Sequence, residues 1–140
     1  MESEDPDVKY MLLMQFSAAN ADFPGIDSWT PEELGAHIAF MQEVNATLAA
    51  SGELVDAQGL AMPDQARIVR AGRDGAPVVT DGPFAETKEF LAGYWIVDCA
   101  GPERAVEIAA RVSAAPGPGG APLNMPIEVR PVASAPSEEG

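Results

Sequence analysis

Apolar residues occupy both alternating faces of Val8 to Phe16 (VKYMLLMQF): Tyr10, Leu12, Met14 and Phe16 on one, Met11 and Leu13 on the other. The run is too short for an ordinary core helix, so it predicts a strand covered on both sides. A stretch without periodicity follows, and then Thr30, Pro31, Glu32 and Glu33 predict a helix start: a capping hydroxyl, proline at the first helical position and acids in the first turn. Leu34, Ile38, Met41, Val44 or Asn45, and Leu48 recur at helical spacing as the expected buried stripe, and Gly52 ends the element. His37 falls on or beside that stripe.

Glu53 to Leu60 predicts a second strand, and Arg67 to Ala71 with Pro77 to Thr80 predict a hairpin around the Gly72, Arg73, Asp74, Gly75 turn. Phe90 to Cys99 predicts another strand apolar on both faces, with Leu91, Gly93, Trp95 and Val97 opposing Ala92, Tyr94 and Ile96. Gly101, Pro102 and Glu103 open a second helix whose stripe is Ala105, Ile108, Ala109 and Val112, ending near Ala115 and Pro116. Gly117, Gly119 and Gly120 lie among prolines and read as a flexible loop. Pro126 to Val132 reads as an edge strand flanked by prolines.

The order β-α-β-hairpin-β-α-β is the split βαβ pattern: an α+β, ferredoxin-like antiparallel sheet with two helices on one face. Helices on one face leave the other bare, yet the two long strands are apolar on both. A bare sheet of that kind exceeds the few hundred Å² of apolar patch that monomers expose. A second copy is therefore expected to cover it, giving a homodimer with sheets face to face.

Composition narrows the partners. A formal charge of -14 with pI near 4.1 repels nucleic acid backbones and anionic lipid surfaces alike. The single cysteine, Cys99, allows no internal disulfide and fits a reducing compartment, with the cytoplasm the expected location. No apolar run reaches the roughly 20 residues of a membrane span, and the acidic start MESEDPD is unlike a signal peptide. The expected organisation is one domain over residues 8–132, between a disordered acidic start (1–7) and a disordered tail (133–140). One histidine and one cysteine make no transition-metal site, and Asp22, Asp27, Asp56 and Asp64 lack the spacing of a calcium loop, so no metal or cofactor is expected.

Asp81 to Trp95, DGPFAETKEFLAGYW, joins a tight turn, a charged run and an apolar strand. Through DGPFAETKEFLAGYWIVD, with the YMLLM start, ELVDAQGL and the terminal IEVRPV, the chain resembles the YCII-related family in its DGPF-motif branch, from about Lys9 to Val132. The resemblance implies a dimeric ferredoxin-like α/β barrel of mostly unassigned function. It also implies a pocket with a histidine and aspartate pair, one branch of the superfamily acting on a chlorinated aromatic. DGPF members resemble companions of extracytoplasmic-function sigma factors.

On that basis His37 and Asp81 are the candidate catalytic pair, Asp81 as proton acceptor or as the group that fixes the imidazole tautomer. The superfamily histidine on this helix maps to His37 or to the Met41 position one turn later. Each residue also has a structural reading: His37 as a packed boundary residue, Asp81 as the builder of its own turn. Glu86, Thr87, Lys88, Tyr94 and Trp95 are candidate substrate-binding residues. In the structural alternative the first three form a solvated charged turn, and the two aromatics pack on opposite faces of their strand, one under the helices and one at the dimer interface.

Three functions fit. One is acid-base chemistry on a small aromatic or carbonyl compound. The second is a non-catalytic ligand-binding or regulatory module tied to a sigma factor. The third is a structural dimer that binds a protein partner. The fold alone does not choose among them.

Overall fold

The computed structural model describes residues 8–16, 29–61, 65–81 and 90–133. Six strands and two helices follow one another as β1 (Lys9–Phe16), α1 (Pro31–Ser51), β2 (Leu54–Gly59), β3 (Arg67–Ala71), β4 (Pro77–Asp81), β5 (Phe90–Asp98), α2 (Pro102–Ser113) and β6 (Ile127–Pro131). The main sheet has the order β2-β5-β1-β6, every neighbour antiparallel, and β3 with β4 forms a separate hairpin. This is the mixed α+β, ferredoxin-like arrangement that the element order predicts, with β6 at an edge.

Alternation along the central strands sorts their side chains. Tyr10 and Leu12 of β1 and Trp95 and Val97 of β5 are buried against Val44 and Leu48 of α1 and Ala105, Ile108, Ala109 and Val112 of α2. Both helices therefore share one face of the sheet. Leu12, Val44, Leu48, Val97 and Val112 are the largest fully buried side chains, each contributing about 1.5–3 kcal/mol of apolar burial. Trp95 satisfies its indole N–H within this layer by donating to Asn45 Oδ1 at 2.8 Å.

The other face centres on Met11 and Leu13 of β1 and Tyr94 and Ile96 of β5, all half-buried. Glu128 and Arg130 stand opposite Leu13 and Met11, and Asp56 and Gln58 stand opposite Ile96 and Tyr94. Among the described residues no helix packs on this side.

Helix α1 begins as its sequence dictates. Thr30 and Glu33 form a capping box, Thr30 Oγ1 accepting from the Glu33 amide at 3.1 Å and Glu33 Oε1 accepting from the Thr30 amide at 2.9 Å. It ends at Gly52, whose φ of 83° is the left-handed cap that glycine adopts without a Cβ penalty.

Its sheltered face differs from the expected stripe. Val44 and Leu48 are buried, but Leu34 and Ile38 are 36% and 47% exposed. In the first half of the helix Glu33, His37 and Phe40 take the sheltered positions instead. The reason lies far along the chain: Glu33 and His37 have hydrogen-bond partners on the segment after α2, so that flank turns inward and the leucine and isoleucine face out.

That segment is the second departure from expectation. Residues 114–126 are folded rather than loose, with Gly117 N–H to the Ala121 carbonyl (2.8 Å), Leu123 N–H to Ala115 (2.9 Å), Asn124 N–H to Ser113 (2.8 Å), and the Ser113 hydroxyl to Met125 (2.6 Å). A 3-10 turn spans Pro118–Gly120. No helix of the described residues is long and apolar enough to cross a membrane.

Candidate functional site

The N-terminal half of α1 and the 116–119 turn meet through two polar contacts. The Glu33 carboxylate, already engaged with Thr30, accepts the Gly119 amide through Oε2 at 2.8 Å. Backbone donors from Thr30 and Gly119 hold this carboxyl below its ordinary value. One helical turn on, His37 Nδ1 lies 3.1 Å from the Pro116 carbonyl oxygen. A carbonyl only accepts, so Nδ1 carries the proton and, in the neutral ring, the lone pair sits on Nε2. The Trp29 ring meets the imidazole edge-on, with centroids 5.4 Å apart. The result is a half-buried imidazole, fixed in tautomer and orientation, on a rigid helix.

A second polar group lies on the open face of the sheet. Asp56 accepts from the Tyr94 hydroxyl at 3.1 Å and from Gln58 Nε2 at 3.2 Å. The hydrogen bond to Asp56 pushes the Tyr94 hydroxyl above its usual value of 10.0, because ionising it would place two anions in contact. Tyr94 and Trp95 thus point to opposite faces, Tyr94 to the open side and Trp95 beneath the helices.

Cys99 is buried, and desolvation raises its thiol, which makes it a poor nucleophile. Among the described residues no three His, Cys, Asp or Glu side chains converge as a metal site.

Asp81 is placed by its backbone, opposite Arg67 at the base of the hairpin. Its carboxylate lies outside the described residues, as do Glu86, Thr87 and Lys88. The partner of His37 seen here is the Pro116 carbonyl. Sequence reasoning missed Glu33 as a tether, Asn45 as the partner of Trp95, and Asp56 as the partner of Tyr94. The capping box signals half of the Glu33 role, but a bond to a distant backbone amide has no sequence signature.

Together these features define a small α+β domain with one positioned imidazole on a helix that covers an antiparallel sheet. The chain belongs to the YCII-related domain family, whose defining pattern matches residues 8–119. It is also 33% identical over 106 residues to an uncharacterised protein of Rhizobium meliloti (strain 1021), covering 76% of this chain and 81% of that protein.

Proposed function

We propose that this chain is a small-molecule pocket protein of the DGPF-motif branch. In this reading His37 is the proton acceptor through Nε2, and the substrate is a small aromatic or carbonyl compound. The observation that carries it is the bond from His37 Nδ1 to the Pro116 carbonyl, which leaves the basic nitrogen unengaged by that contact and its direction fixed. Asp81 is the proposed carboxylate of the pair, with Thr87 and Lys88 as donors to the ligand. The proposed setting is the cytoplasm.

The same reading includes a homodimer in which two sheets close into an α/β barrel. An apolar centre of Met11, Leu13, Tyr94 and Ile96 rimmed by Gln58, Glu128 and Arg130 has the anatomy of an interface, with an apolar middle and a polar edge.

The test is a thermal-shift screen of small aromatic acids and carbonyl compounds on the wild type and His37→Ala, followed by turnover assays on any compound that binds. A ligand at about a hundredfold excess over its dissociation constant adds about 2.7 kcal/mol, a rise of roughly 5–10 °C for a domain of this size. The reading expects binding to both proteins and turnover by the wild type alone. Turnover that survives in His37→Ala overturns the catalytic role. Binding without turnover in either protein selects a sensor, the form in which a sigma-factor link would operate.

A further inference from the structure

Of the described elements, the β3–β4 hairpin gives its apolar side chains the least shelter. Its register sets Val69 against Val79 and Ala71 against Pro77 on one face, and Ile68 against Thr80 and Arg70 against Val78 on the other. Val69, Val79 and Val78 are 60%, 51% and 50% exposed, and among the described side chains of these two strands only Ile68 is half-covered. A two-stranded hairpin standing by itself is marginal in water. Three valines at least half exposed add little beyond the Val69–Val79 cross-strand pair, so this hairpin calls for a surface to lie on.

Charge identifies that surface. Residues 67–81 hold three arginines, Arg67, Arg70 and Arg73, against two aspartates, Asp74 and Asp81, a net +1. The remainder of the chain then holds five basic and twenty acidic side chains, a net -15. The hairpin is a cationic strip on a strongly anionic body. Two such bodies repel each other as they approach, and an arm of opposite sign crossing between them offsets that repulsion.

We propose that the Val69–Val79 face of the hairpin is a contact between two copies of this chain, the arm of each lying on the anionic surface of the other. The inference rests on the homodimer reading above and extends it to an element outside the main sheet. Val69 and Val79 supply apolar area to the contact, while Arg73 at the turn and Arg70, which shares the reverse face with Val78, give the arm its positive sign toward the anionic body.

The test is sedimentation velocity over a concentration series, on the wild type, Val69→Thr/Val79→Thr and Arg70→Glu/Arg73→Glu. Threonine keeps the β-branched shape that suits a strand, and the replaced positions are exposed, so circular dichroism should be unchanged. The wild type is expected to dimerise, and each double variant to raise the dissociation constant tenfold or more. A wild type that stays monomeric overturns this contact and the homodimer reading together. A wild-type dimer with both variants equally tight overturns the arm alone. Hydrogen exchange on the wild type gives a second readout without substitution: protection of the 67–81 amides should rise with protein concentration, and the absence of any rise overturns the arm contact.

Discussion

The guanidinium of Arg104 meets the carboxylate of Glu53 in a two-pronged pair, Nε to Oε2 and Nη2 to Oε1, both at 2.9 Å. It joins the first turn of α2 to the turn between α1 and β2, where the Glu53 carbonyl also accepts the Asp98 amide at 2.8 Å. The Glu53 side chain is 16% exposed and that of Arg104 38%, so the pair is sheltered on one side only.

Glu53→Gln should lower stability at neutral pH by about 1–2 kcal/mol, between the small value of open ion pairs and that of sheltered charged hydrogen bonds. Arg104 holds the Glu53 carboxyl below its ordinary 4.5. The contribution is therefore complete above about pH 4.5 and fades as pH falls through the lowered folded value. Urea unfolding of both proteins from pH 7 downward checks this: the stability difference should close in acid, and a gap independent of pH would refute it.

Gly93→Ala should destabilise the sheet by about 1–3 kcal/mol. A Cβ there would stand 2.9 Å from the Gln58 carbonyl oxygen and 3.4 Å from Gly59 Cα, both on the backbone of the neighbouring strand, which cannot turn aside as a side chain can. At Gly59 a Cβ meets nothing within 4 Å, so Gly59→Ala should change stability by no more than about 0.5 kcal/mol. Equal urea midpoints for the two variants would count against the packing described.

The imidazole tautomer can be read directly, since His37 is the chain's one histidine. Nitrogen-15 NMR of the neutral ring should show the proton on Nδ1 and a bare Nε2. Glu33→Gln weakens the grip on the Gly119 amide and should lower the Nδ1–H population. A ring protonated mainly on Nε2 would remove the basis of the proposed function.

Local chemistry carries far in this chain. Thr30, Pro31, Glu33 and Gly52 mark the limits of α1, and the alternation through Tyr94, Trp95, Ile96 and Val97 separates the two faces of β5, although both are apolar and only the fold shows that Trp95 and Val97 meet the helices. Legibility fails where partners are distant. Leu34 and Ile38 follow a regular apolar spacing, yet Glu33 and His37 are drawn inward by backbone atoms at positions 119 and 116, and a carbonyl or amide of the main chain leaves no trace in residue identity. For the same reason the proline- and glycine-rich segment after α2 reads as slack, although its own backbone bonds fasten it. Asn45 and Asp56 escape notice because their partners, Trp95 and Tyr94, come from a strand far along the chain.

The strand order has a consequence for how this protein is made. β1 emerges from the ribosome before its neighbours β5 and β6, which follow only after α1, β2, β3 and β4. Its oily residues and unpaired amides must wait until those elements have been made, and loop closures of this length slow the search for the final pairing. A nascent chain halted before Ile127 would leave one edge of β1 without its strand. Premature termination should therefore yield aggregating fragments, not a smaller folded domain.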